Sequence, residues 1–165
     1  MSMHSRRSVV AFVAAIAVLA LAAAGCSNDE GSETGGTGGE TGAAGTVEVT
    51  LQEFSVIPSP DSAPAGDVTF NVTNEGPEDV HEFVVFKTDL APDALPTAED
   101  GSVDEAGEGV ELINEIEDIA VGDTPTLTVT LDAGSYVLIC NIVEEEGGET
   151  IVHYQQGMRV GFTAE

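Results

Sequence analysis

Beyond residue 25 the sequence holds two histidines, His81 and His153, one methionine, Met158, and, apart from Cys26, one cysteine, Cys140. A domain using such residues only for packing would scatter several of each. Here the imidazole, thiol and thioether groups reduce to one set, in the order His, Cys, His, Met. Two imidazoles and a thiolate in a trigonal plane, with a weak axial thioether, are the donors of a one-electron copper site. Thiolate and imidazole suit both oxidation states of copper. A long axial bond keeps the geometry between their two preferences, so little rearranges on electron transfer. Zinc also accepts such donors, but an axial methionine favours copper. Taken singly, each residue has a plainer reading: a histidine as surface or core filler, a methionine as packing, Cys140 as an inert thiol or a disulfide partner of Cys26.

Strands must bring these residues together. From Thr46 onward Val47, Val49 and Leu51 alternate with polar residues, the period of a strand with one buried face. Pro58, Pro60 and Pro64 mark a bend and Ala65-Gly66 a turn, after which Val68, Phe70 and Val72 alternate again. Further strands are expected over 80–88, 126–131, 134–141 and 157–163. In a strand, side chains two apart share a face. His81 therefore shares one with Phe83 and Val85, and Cys140 with Tyr136 and Leu138, so both candidate ligands end a core-facing row. Residues 89–118 read differently: an acidic, Pro- and Gly-containing excursion, long for a connection inside a compact domain. It has an apolar patch at Val110, Leu112, Ile113 and Ile116, and room for one short helix. No calcium-loop pattern occurs in it, so a solvated insertion is the expectation, with partner docking as the alternative.

The N-terminal stretch is a different kind of chain. Arg6 and Arg7 precede an uncharged apolar run from Val9 to Ala24, the layout of a secretory signal over residues 1–25. Ala23-Ala24-Gly25-Cys26 resembles a bacterial or archaeal lipobox, with Ala23 where that pattern usually has Leu. The resemblance implies cleavage before Cys26 and its lipidation, which disfavours a Cys26–Cys140 disulfide. Ser5-Arg6-Arg7-Ser8-Val9-Val10 resembles a twin-arginine export signal, although an ordinary signal carries two arginines equally well. Residues 26–45 are Gly-, Thr- and Glu-rich with no large apolar residue, and are expected to be a flexible tether reaching roughly 25 Å. The folded domain is expected over 46–165, exported and lipid-anchored at the outer face of the cytoplasmic membrane.

Composition narrows the partners. Thirty acidic residues face four basic ones, a formal net charge of −26. Past the signal region only Lys87 and Arg159 are basic. Nucleic acid needs a positive footprint and is excluded. Electrostatic docking on an anionic membrane is disfavoured. The acidity serves as a solvated coat, or as a steering field for a redox partner with a basic docking patch.

The motifs together resemble the plastocyanin-like cupredoxins, the type 1 blue copper family. Gly134-Ser135-Tyr136-Val137-Leu138-Ile139-Cys140-Asn141 is similar to that family's penultimate strand. His153-Tyr154-Gln155-Gln156-Gly157-Met158 is similar to its second-histidine segment. Asn74-Glu75-Gly76 leading to His81-Glu82-Phe83-Val84-Val85 is similar to the strand carrying its first histidine. The resemblance covers residues 46–165. It implies an all-β Greek-key sandwich or barrel of about seven or eight strands, and one copper held by His81, Cys140, His153 and Met158 in a monomer. Tyr136 resembles a tyrosine-corner residue. Two departures stand out. Twelve residues separate Cys140 from His153, where the family usually has a few, so an acidic hairpin should bulge from the site. Glu82 follows His81 where the family often has Asn, so that Asn's hydrogen bond is not implied.

The resemblance implies a single-electron carrier. Copper sequestration or delivery is the alternative, disfavoured because the chain has no His or Met to spare for hand-over. An enzyme is disfavoured too. Two histidines cannot build further metal centres, and four protein ligands leave no open position for substrate.

Overall fold

The computed structural model describes residues 45–165. The expected signal, Cys26 and nearly all of the tether lie outside the described residues. Gly45, expected as the tether's last residue, opens the first strand.

Eleven strands and one short helix follow among the described residues. In chain order they are β1 (Gly45–Gln52), β2 (Ser55–Ser59), β3 (Ser62–Ala63), β4 (Gly66–Gly76), β5 (His81–Lys87), β6 (Glu111–Ile119), β7 (Thr126–Leu131), β8 (Gly134–Ile139), β9 (Val143–Glu146), β10 (Glu149–Val152), α1 (His153–Gln156) and β11 (Arg159–Ala164). One sheet runs β2-β1-β4-β7 and a second β3-β11-β8-β5-β6, while β9 and β10 form a separate hairpin. β1 lies parallel to β4 and β3 to β11; the other pairings are antiparallel. The expected all-β sandwich is present.

Period-two patterning explains the four-stranded sheet. Val47, Val49 and Leu51 of β1, Val68, Phe70 and Val72 of β4, and Leu127, Val129 and Leu131 of β7 all turn inward. The intervening threonines of β7 face solvent. Phe83 and Val85 of β5, Tyr136 and Leu138 of β8, and Phe162 and Ala164 of β11 fill the core from the facing sheet. Tyr136 closes the corner, its hydroxyl donating to the Asp132 carbonyl at 2.8 Å.

β5 and β8 read as nearly continuous apolar runs because their outer face is covered as well. Val84, Phe86, Val137 and Ile139 form a second cluster with Leu95, Val103, Val152 and Tyr154. The acidic excursion supplies Leu95 and Val103, and this corrects its reading as a solvated insertion. Its acids face water, yet two apolar side chains clamp it to the sheet, worth about 1.5–3 kcal/mol each when fully buried. No helix forms in it. Residues 111–119 are instead the edge strand β6, paired with β5. Two register shifts in that pairing, and a left-handed Asp118 (φ 53°), break the alternation that would have marked a strand in sequence.

Candidate metal centre

Each functional side chain is set by an identifiable local device. His81 opens β5, directly after a turn held by the fully buried Asn74. The Asn74 amide donates to the carbonyls of Asp79 and Ile119, both at 2.8 Å, and its oxygen accepts from Gly76 N–H at 2.8 Å. Gly76 takes φ 60°, and a Cβ there would lie 2.9 Å from Val121, so this tight entry requires glycine. Cys140 continues β8 at the end of its core-facing row. Its N–H donates to the Met158 carbonyl at 3.1 Å. Ile139 pairs with Arg159, so the adjoining register puts Met158 opposite Cys140, and both are buried in the inter-sheet core. His153 starts α1, a single turn whose first carbonyl accepts the Met158 N–H at 3.1 Å. That bond ties the Met158 backbone to the start of α1.

The three donors expected in the metal plane converge. His81 Nδ1 lies 3.2 Å from His153 Nδ1, and Cys140 Sγ lies 3.8 Å and 3.4 Å from those nitrogens. All three residues are completely shielded from solvent. The circle through three atoms so spaced has a radius of about 2.0 Å, the bond length of a first-row metal to imidazole nitrogen and slightly short of one to thiolate. Two nitrogens and a sulfur, buried and aimed at one point, fit a copper ion. Met158 is fully buried in the same core.

The surroundings suit a neutral imidazole at His81 and a thiolate at Cys140 only where a cation binds. Burial, then the nearby His153, hold His81 below the ordinary histidine range. Burial pushes the Cys140 thiol up to about 12, so without a cation it keeps its proton. A bound cation reverses that preference, because the thiolate is the ligand. The Glu82 N–H points at Cys140 Sγ from 3.4 Å, ready to donate to it.

Sequence reasoning missed the neighbours of the two imidazoles. His153 Nε2 meets Glu144 Oε1 at 2.9 Å, so the hairpin β9–β10 folds onto the site rather than bulging clear of it. Phe54 stands edge-on to His153, with ring centroids 5.2 Å apart. On the other imidazole, His81 Nε2 lies 3.7 Å from Glu53 Oε1, beyond hydrogen-bond reach. Burial would raise the Glu53 carboxyl, but the N–H groups of Asp79 and Glu78, 2.8 Å and 3.1 Å from its Oε1, hold it lower. Nothing in the sequence around Glu53-Phe54 distinguishes that pair, and Glu144 is one of three consecutive acids; only chain reversal shows which of them faces His153. Glu82, which departs from the Asn of the pattern this chain resembles, makes a contact of its own, its Oε1 accepting the Asn141 N–H at 2.8 Å.

No family model and no curated protein matches the chain. Solved structures do resemble it. Auracyanin from Roseiflexus castenholzii is 18% identical, covering 73% of this chain and 96% of that one, with a TM-score of 0.48. Auracyanin A from Chloroflexus aurantiacus, described as a "blue" copper protein, is 17% identical over 74% of this chain and all of its own, at 0.46. Rusticyanin from Thiobacillus ferrooxidans is 17% identical over 73% and 77%, at 0.49. At such identities no residue role passes from them to this chain. What bears on function is the set of side chains brought together here.

Proposed function

We propose that this chain is a type 1 blue copper protein that carries single electrons outside the cytoplasm. Its copper would be held by His81, Cys140 and His153, with Met158 as the fourth ligand. The observation that carries the reading is the convergence of two imidazole Nδ1 atoms and one thiol sulfur within 3.8 Å of one another, with no solvent exposure.

When bound, copper supplies a one-electron couple; the protein supplies a constant cage. His81 and Cys140 sit on adjacent strands of one sheet, anchored in the core from both faces. Cys140 and Met158 are locked as neighbours across β8 and β11, and His153 is tied to Met158 by the α1 turn. Such a cage resists rearrangement when the metal's charge changes, as a carrier requires. Burial of all the proposed ligands also speaks against delivery, which needs ligands a recipient can reach.

The domain plan belongs to this proposal: a signal over 1–25, a lipidated Cys26, a tether over 26–45, and an electron-carrying domain held at the outer membrane face. Its partner is a redox protein with a basic docking patch, met by the monomer.

The test is addition of Cu(II) to the purified protein. An intense blue thiolate-to-copper band and a reversible one-electron wave are expected. Cys140→Ser should lose the blue band completely. Persistent colour in that variant, or colourless Cu(I) binding that passes readily to a chelator, would sink the carrier reading.

A further inference from the structure

The inserted hairpin β9–β10 places one carboxylate against a proposed ligand. His153 is fully buried, so whichever ring nitrogen bears a proton must donate within the protein. Its Nδ1 faces Cys140 Sγ and His81 Nδ1, while its Nε2 has Glu144 Oε1 at 2.9 Å. A carboxylate accepts hydrogen bonds and donates none, so the contact requires the proton on Nε2. That leaves the Nδ1 lone pair turned toward the other donors. The imidazole of His81 lacks this device: its Nε2 is buried without a hydrogen-bond partner.

We propose that Glu144 is a positioning residue of the centre, which fixes the tautomer of His153 from the inserted hairpin and whose charge favours the oxidised metal over the reduced one. The inference rests on the copper reading above. A carboxylate on the outer nitrogen makes the imidazole a stronger donor, and loss of such a partner typically costs 10–100-fold in metal affinity. A stronger, more negative donor gains more from the doubly charged ion than from the singly charged one. The Asp79 carboxylate lies within 4.8 Å of both groups and adds to the same field. It makes no hydrogen bond to the ring, and so leaves the tautomer to Glu144.

Two measurements separate this role from bulk acidity. The first is the midpoint potential of the copper-loaded protein. Glu144→Gln keeps a hydrogen-bond acceptor and removes the charge. It should weaken Cu(II) binding about tenfold more than Cu(I) binding, raising the potential by about 59 mV. Glu149→Gln removes the same charge from an exposed position of the same hairpin, and should shift the potential several-fold less. Equal shifts in the two variants, or none in Glu144→Gln, would overturn the proposal. The second uses the metal-free protein, whose imidazole nitrogen-15 shifts at pH 8 report the tautomer. His153 should carry its proton on Nε2 in the wild type and lose that preference in Glu144→Ala. A proton on Nδ1 in the wild type would refute the positioning role whether or not copper binds. Failure of the wild type to turn blue, with the Nε2 tautomer intact, would instead strike the copper reading alone.

Discussion

Glu82 is pulled in two directions. Its carboxylate accepts the Asn141 N–H at 2.8 Å, which ties the residue after His81 to the residue after Cys140. Burial, and then the nearby Glu115, Glu105 and Glu117, nevertheless push its pKa up to about 7, against an ordinary 4.5. Between those values the folded protein keeps a proton that the unfolded chain has lost. Stability must therefore fall as pH rises through this window, and the penalty is complete above about pH 7. A shift of this size corresponds to about 3 kcal/mol, reduced to on the order of 2 kcal/mol because the side chain keeps some contact with water. Glu82→Gln retains an oxygen for Asn141 N–H and cannot ionise. In urea unfolding of the metal-free protein, the variant should match the wild type near pH 4 and exceed it by that amount at pH 8. A constant difference at both pH values would show that packing, not charge, separates them. The departure from the Asn of the pattern this chain resembles was visible in sequence. Its consequence was not, because the acceptor's partner lies 59 residues away across a strand pair.

At the scale of elements, what was legible followed side-chain period. β1, β4 and β7 bury every second residue, and their patterns announced it. β5 and β8 are buried on both faces, and their apolar runs were readable as strands although not as doubly covered ones. β6 was lost because its bulges interrupt the period. The segment 89–110 was misread because charge dominates its composition while only Leu95 and Val103 decide its position. Polar clamps complete that position. Asn141 Oδ1 accepts the Val103 N–H and its amide donates to the Val103 carbonyl at 3.1 Å. The Tyr154 hydroxyl accepts the Leu95 N–H at 3.2 Å and donates to the Pro92 carbonyl at 2.9 Å. The excursion is thus fastened to the residues that follow two proposed ligands, Cys140 and His153. Tyr154→Phe strands one backbone donor and one acceptor, at a cost of about 1–3 kcal/mol. The blue band should survive this change, while the urea midpoint falls and proteolysis within 89–110 speeds up. Unchanged protease sensitivity would mean that the excursion is held by its apolar contacts alone.

The whole molecule is governed by its charge. A formal −26 on 165 residues leaves almost nothing for salt to weaken and much for it to relieve. The Lys87–Asp132 pair, 2.9 Å apart and exposed, adds little. Against it stands the mutual repulsion of some two dozen carboxylates on one small domain, which the expanded chain feels less. The screening length shrinks from about 30 Å at 0.01 M salt to about 8 Å at 0.15 M, so repulsion across the domain largely disappears over that range. Added sodium chloride should therefore raise the thermal midpoint of the protein, by several degrees if 1–2 kcal/mol of repulsion is relieved. The opposite sign is expected for function. On the proposed function, electron exchange with a cationic redox partner would gain its speed from the same field, and should slow steeply as salt rises. Stopped-flow electron transfer and thermal unfolding across one salt series would read both signs in one protein. Should the exchange rate prove indifferent to salt while the midpoint climbs, the acidic surface is a solvated coat and steers no partner.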